Sequence, residues 1–301
     1  MTDEAIGQTL DRDPVELELP VDGGTLRVLR FGAGPRTAVA AHGITASGMS
    51  FRAPARHLPP EWSLFALDLR GRGGSADTPG PYGIDAHAAD LCAAAERWGG
   101  GAPVAVTGQS MGACAALRAA ARRPELFDRL LLIDGGLPIP LEEGTDPDAL
   151  LDASMGPILA RLTRTFENDE AYVDVFRAHP ALGPEWNDDI EAYVRDGITG
   201  PAGARRSSAR EGPVRRDGRE LITSGPAFGE DLVGLAVPAR LLHAPRGLTG
   251  AAPGVLSDAL VAHWTARAPR LTAEAVPDCN HFTILMGPQA RTVADRLVGM
   301  V

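Results

Sequence analysis

The sequence predicts an α/β protein built on a mainly parallel sheet with helices on both faces. Short apolar runs alternate with helical patterns through the first half of the chain: Thr37-Ala38-Val39-Ala40-Ala41, Leu64-Phe65-Ala66-Leu67, Pro103-Val104-Ala105-Val106-Thr107 and Leu130-Leu131-Leu132-Ile133. Continuous apolar runs, without a polar residue at every second place, suit strands buried on both faces. The same strand pattern resumes at Pro238-Ala239-Arg240-Leu241-Leu242-His243 after an interval of about a hundred residues without a convincing strand.

The elements follow in order. Met1 to Asp13 is polar and acidic, with neither the basic nor the apolar region of a leader. Val15 to Leu19 alternates with period two, Asp22-Gly23-Gly24 turns, and Thr25 to Leu29 alternates again, which reads as a hairpin at the sheet edge. From Asp85 to Trp98 a helix is expected, because Ile84, Ala88, Leu91, Ala95 and Trp98 share one face. Asp146 to Phe166 reads as a helix with Asp-Pro at its start and a kink at Pro157. Asp169 to His179 and Trp186 to Arg195 read as two more, and the arginine-rich stretch from Arg205 to Arg219 as exposed surface. The expected division is a core of residues 1–136 and 236–301 with a helical cap, 137–235, inserted after the sixth strand. An insertion of that length is too long for a plain loop.

Composition narrows the function. All 29 basic residues are arginine, which removes Schiff-base chemistry and a lysine-bearing phosphate loop. A net charge of −10 argues against a nucleic-acid partner. No apolar run approaches membrane-spanning length, so no membrane partner is expected. Cys92, Cys114 and Cys279 are odd in number and lack metal-type spacing, which together with the polar N-terminus reads as a reduced, cytoplasmic protein without a metal. The glycines from Gly71 to Gly74 do not form a dinucleotide fingerprint, so no cofactor is implied.

Gly108-Gln109-Ser110-Met111-Gly112 lies between an apolar strand and the alanine-rich stretch from Ala113 to Arg123. The pentapeptide alone fits any strand-to-helix turn. In this context it would thrust Ser110 out above the strand end and leave the Met111 amide at a helix N-terminus, ready for an anion. Three further motifs accompany it in order: His42-Gly43-Ile44 before it, Asp68-Leu69-Arg70-Gly71-Arg72-Gly73-Gly74-Ser75 between them, and His281 after the apolar stretch that ends at Val276. This ordered set resembles the α/β-hydrolase fold family, cap-bearing serine hydrolases in particular, from about Val15 onward.

The resemblance implies an eight-stranded sheet, Ser110 as nucleophile and His281 as its base, and an oxyanion hole from the Met111 and Ile44 amides. It places His42 in a structural turn and gives Arg70 the task of tying neighbouring loops. The acid departs from the pattern. The segment after the seventh strand, Ala244-Pro245-Arg246-Gly247-Leu248-Thr249-Gly250, holds no carboxylate. Asp258 falls in the next helix, and Asp278 would have to fold back on the histidine's own loop. Asp134, at the end of the sixth strand, is the candidate acid; the same position also suits a cap on the Gly135-Gly136 turn. A serine nucleophile implies an esterase or lactonase that takes a modest-sized hydrophobic substrate through an acyl-enzyme. The same residues would serve an acyl-transfer or cyclisation enzyme of secondary metabolism, and the missing carboxylate keeps a non-hydrolytic binding protein in view.

Overall fold

The computed structural model describes residues 13–299. The polar stretch on which the leaderless reading rests therefore falls almost wholly outside the described residues. Eight strands form one sheet: β1 (Val15–Val21), β2 (Gly24–Gly32), β3 (Arg36–Ala41), β4 (Trp62–Leu67), β5 (Val104–Gln109), β6 (Phe127–Ile133), β7 (Ala239–His243) and β8 (Leu271–Ala275). Their spatial order is β1-β2-β4-β3-β5-β6-β7-β8. β1 and β2 form the edge hairpin, with Val21 paired to Gly24 across the Asp22-Gly23 turn, and β2 pairs antiparallel with β4. Every later pairing is parallel.

Parallel strands need crossovers, and these cover both faces. On one side lie α1 (Ile84–Trp98) and α2 (Met111–Arg122). The period of two in the central strands divides their side chains between two cores. Val39, Val106, Leu130 and Leu132 meet the alanine-rich face of α2. Ala38, Ala40, Ala105, Leu131 and Ile133 meet Phe51, Leu285 and Leu297 on the other side. The register sets Ala41 beside Gly108 and Gln109 beside Ile133, so the carboxyl ends of β3, β5 and β6 open at one edge. Ligands of open α/β sheets bind at this edge.

Between β6 and β7 the chain forms α3 (Pro147–Thr163), α4 (Asp169–Arg177), α5 (Asp188–Asp196), α6 (Glu211–Thr223) and α7 (Gly225–Val233). The starts of three of them are written in the sequence. Asp146, Asn168 and Asn187 accept hydrogen bonds from first-turn amides of α3, α4 and α5. Two differences from expectation stand out. A two-residue antiparallel ribbon, Ile198–Thr199 with Arg206–Ser207, lies inside this otherwise helical stretch. The arginine-rich segment is not simply surface: α6 turns Val214, Asp217 and Gly218 inward while Arg215 and Arg219 pair outward with Asp152 and Asp148. Helical periodicity separates the two faces, and the arginine content masked the buried one.

The insertion is pinned to the core by polar contacts as well as apolar ones. Asp196 accepts from Arg27 at 2.9 Å and from Ser47 Oγ at 2.7 Å. Asn187 donates to the Met286 carbonyl at 3.0 Å, and Glu220 accepts the Ile84 amide at the start of α1. After β7 come α8 (Asp258–Arg267) and, closing the chain's second face, α9 (Ala290–Val298). Among the described residues no helix is long and apolar enough to cross a membrane, and no group of His, Cys, Asp and Glu could hold a metal ion.

Candidate active site

Ser110 stands between β5 and α2 with φ 56° and ψ −120°, a conformation L-residues avoid. Its amide donates to the Ile133 carbonyl at 2.9 Å, which fixes the turn to the neighbouring strand. The two elbow glycines are required by close backbone approach. A Cβ on Gly108 would run into the Gly112 carbonyl, and one on Gly112 into the Ala41 carbonyl. Met111 begins α2, so its amide is one of the N-terminal donors without an intrahelical acceptor.

Asp134 follows β6 directly and is also left-handed, with φ 44°. Its side chain is fully buried and divides its acceptors. Oδ1 takes the Ala244 amide at 3.0 Å, and Oδ2 lies 2.6 Å from His281 Nδ1. The carboxylate thus braces the end of β7 and engages the imidazole together. His281 is carried on the loop after β8, where its amide donates to the Arg246 carbonyl at 3.0 Å. Arg246 itself, in the segment that lacks a carboxylate, donates to the Cys279 and Asp278 carbonyls and so ties β7 to this loop. Asn280 Oδ1 accepts the Phe282 and Thr283 amides, which closes the loop into a helical turn.

A carboxylate on Nδ1 fixes the imidazole tautomer with its proton there and leaves Nε2 as an acceptor. In this arrangement Nε2 faces the side-chain amide of Gln109 at 3.2 Å, and the same amide donates to the His281 carbonyl at 3.0 Å. Ser110 and His281 line one cavity, yet no hydrogen bond joins them among the described residues. Serine–base bonds in unliganded sites often tighten only when substrate arrives. Gln109 was visible in the pentapeptide, but a variable position between glycine and serine gave no hint that its side chain would reach the histidine.

Ile44 occupies a turn closed by the Ala46 amide on the Gly43 carbonyl at 3.0 Å. His42 secures that turn. Its Nδ1 donates to the Gly43 carbonyl at 2.7 Å and its Nε2 accepts the Leu69 amide at 3.0 Å. Complete burial pushes its pKa down to about 3, so the ring is neutral and structural. Arg70 forms a two-pronged pair with Asp90 and reaches the Pro79 carbonyl. Arg72 is completely buried, with Nε on the Ile44 carbonyl at 2.9 Å and Nη1 2.6 Å from Asp217 of α6. Burial of Asp217 opposes its charge, but Arg72 and His87 outweigh it and hold the carboxyl below its usual range.

The remaining candidates fall elsewhere. Asp258 is the first residue of α8, and Asp278 offers its backbone carbonyl rather than its carboxylate to this loop. Cys279 is buried, its thiol donating to the Val276 carbonyl, and burial beside Asp134 pushes its pKa up to about 12. A thiol held in that state is no nucleophile at neutral pH.

Two cavities meet at Ser110. One, about 160 Å³, runs along the Ile44 side to Met155, Ile158, Phe282 and Met286. The other, about 290 Å³, lies beyond Gly135 and reaches Leu137, Leu150, Ile222 and Phe228. Leu221 and Val255 border both. Apart from Asp134 and His281, neither lining contains a charged or imidazole side chain.

Strand order, elbow and histidine loop together decide the fold. The chain is an α/β-hydrolase-fold protein. The α/β hydrolase fold family matches residues 39–183. The crystal structure of E-2-(acetamidomethylene)succinate hydrolase superposes with a TM-score of 0.75 at 22% identity, covering 95% of this chain and all of that one. Over 110 residues the hydrolase-fold chain is 39% identical to lipase LipV of Mycobacterium tuberculosis, 36% of this chain and 41% of that protein. Over 107 residues it is 37% identical to N-formylmaleamate deformylase of Pseudomonas putida, 35% of this chain and 40% of the relative. Each alignment therefore spans about two fifths of the curated relative.

Proposed function

We propose that this protein is a serine hydrolase that cleaves a carboxylic ester or lactone of a modest-sized, uncharged, hydrophobic substrate through an acyl-enzyme. The observation that carries the reading is Ser110: a strained, elbow-mounted serine at the meeting point of two apolar cavities, beside a histidine already engaged by a buried aspartate. In this reading His281 leaves Gln109, takes the Ser110 proton on Nε2 and lets Oγ attack the carbonyl carbon. The carbonyl oxygen becomes an oxyanion held by the Ile44 and Met111 amides. Collapse expels the alcohol, which takes the proton back from Nε2. Water, deprotonated by the same nitrogen, then releases the acid and frees Ser110.

The cavities support an uncharged substrate. Buried carboxylates or phosphates need arginine or lysine partners, and none borders either cavity. The names of two similar proteins specify compounds derived from dicarboxylic acids. Such compounds would find no cation here. We read the helices 137–235 as a cap, since α3, α5, α6 and α7 supply apolar walls above Ser110. The deciding experiment is labelling by a fluorophosphonate together with a panel of p-nitrophenyl esters and lactones. Covalent label on Ser110 and turnover of neutral esters support the reading; an unlabelled, folded protein that turns over none of them refutes it.

A further inference from the structure

Ile44 is held on both of its peptide planes. The plane that contains its amide carries the Gly43 carbonyl, gripped by His42 Nδ1 at 2.7 Å and by the Ala46 amide at 3.0 Å. The plane that contains its carbonyl is gripped by Arg72 Nε at 2.9 Å. These contacts set the two dihedrals at Ile44, and with them the direction of its N–H.

Arg72 does not stand alone. Its Nη1 donates to the Arg70 carbonyl at 2.8 Å and pairs with Asp217 Oδ2 at 2.6 Å. Both side chains of that pair are completely buried, and His87 Nε2 meets the same Asp217 oxygen at 2.9 Å. Asp217 belongs to α6, part of the insertion rather than of the sheet core. The same helix packs near Ile44: Val214 belongs to the apolar cluster against which Ile44 packs, and a Cβ on Gly218 would lie 3.4 Å from Ile44 Cδ1. A buried cation bound to a buried anion is costly to separate, so the guanidinium direction is dictated by where α6 sits.

We propose that Asp217, acting through Arg72, is a positioning residue for the oxyanion donor Ile44, so that seating of α6 on the core completes the oxyanion hole. The proposal rests on the serine-hydrolase reading for what the Ile44 amide does, and on the geometry alone for how that amide is held. Loss of one oxyanion donor costs on the order of 10²- to 10³-fold in kcat. A donor that is misaimed rather than removed costs part of that.

The test compares Asp217→Asn, Arg72→Lys and a double variant, Arg72→Met with Asp217→Leu, which strands no buried ion and so guards against misfolding of the single ones. Each is expected to lower kcat about 10- to 100-fold with KM nearly unchanged, and to weaken binding of a boronic acid inhibitor in the same ratio. Glu220→Gln, which keeps an oxygen acceptor for the Ile84 amide and so leaves α6 seated without touching Arg72, is expected to keep kcat within about twofold of wild type. Hydrogen exchange of residues 42–48 is expected to quicken in the Asp217 and Arg72 variants while residues 104–122 stay protected. Folded Asp217 and Arg72 variants with wild-type kcat and a protected 42–48 loop overturn the proposal, as does an equal loss in Glu220→Gln. If the wild-type protein proves inert to esters and fluorophosphonate, the hydrolase reading falls. Exchange at residues 42–48 then still decides whether Asp217 orders the loop.

Discussion

Asp134 Oδ2 lies 2.6 Å from His281 Nδ1 although 147 positions separate the two residues in the chain. The contact follows from strand order: β6 is flanked by β5, which carries Ser110, and β7, whose extension carries Arg246 against the histidine loop. If this carboxylate is the triad acid, Asp134→Asn lowers kcat by on the order of 10⁴, because an amide can favour the wrong imidazole tautomer. Asp258→Asn and Asp278→Asn keep kcat close to wild type. Steady-state hydrolysis of a neutral p-nitrophenyl ester by the three variants separates these positions, and full activity in Asp134→Asn would exclude the assignment.

A second expectation concerns strain at Ser110. A φ of 56° with ψ −120° stores on the order of 1–3 kcal/mol for a residue bearing Cβ. Glycine relieves it but loses about 0.5–1 kcal/mol through the freedom of the unfolded chain. Ser110→Gly is therefore expected to gain on the order of 1 kcal/mol in stability over Ser110→Ala, while both lose ester turnover. Denaturant unfolding checks the first part and hydrolysis the second. Undiminished turnover in Ser110→Ala would remove the mechanism altogether.

Much of this was legible in the sequence, and the reason differs from one element to the next. The central strands are buried on both faces and so read as unbroken apolar runs. The elbow glycines are needed by backbone contacts that no other residue permits, which makes them visible as a motif. Asp134 could be picked out because the segment after β7 offers no carboxylate at all. The position of Asp217 was hidden: its burial depends on Arg72 and His87, 145 and 130 positions earlier in the chain, and its neighbours Arg215, Arg216 and Arg219 speak for solvent. Gln109 was hidden for another reason, since its partner is fixed by how the β8 loop folds back, which local pattern does not encode.

A third expectation is a pH effect on stability. Burial lowers the His42 pKa to about 3 in the folded protein, against an ordinary value of 6.5. Between those values the unfolded chain binds a proton that the native state refuses, so this term's stability is present above pH 6.5 and drains as pH falls towards 3. Asp68 acts in the opposite sense. Burial raises its pKa to about 6, so its term favours the native state below the unfolded value of 3.8 and is lost as pH rises through 6. Replacing His42 isolates one of them. In His42→Gln the dependence of unfolding free energy on pH between 4 and 6 shifts towards a shallower rise or a fall, by up to about 1.4 kcal/mol per pH unit. Urea titrations at three pH values measure it; parallel wild-type and variant curves would show that His42 carries no such linkage.

The last expectation concerns selectivity between the two cavities. Leu221, on α6, borders both, and so does Ser110 below it. The smaller cavity is about 160 Å³ and the larger about 290 Å³, at or below the lower end of the range for small-molecule sites, so one added or deleted side chain changes which substrates fit. Truncation at Leu221→Ala removes part of the wall where the cavities meet. It is expected to raise kcat/KM for branched or bulky neutral esters relative to linear ones by about 10-fold, the scale at which a hydrophobic pocket discriminates a few methylenes. Leu221→Phe is expected to do the reverse and to favour short acyl chains. Both variants should be labelled by a fluorophosphonate at rates close to wild type, because Leu221 has no part in the proposed proton transfers or oxyanion contacts. A panel of esters of increasing chain length and branching, assayed with all three proteins, gives the answer directly. An unchanged order of preference in both variants would mean that α6 does not shape the substrate, and the reading of residues 137–235 as a selective cap would have to be given up.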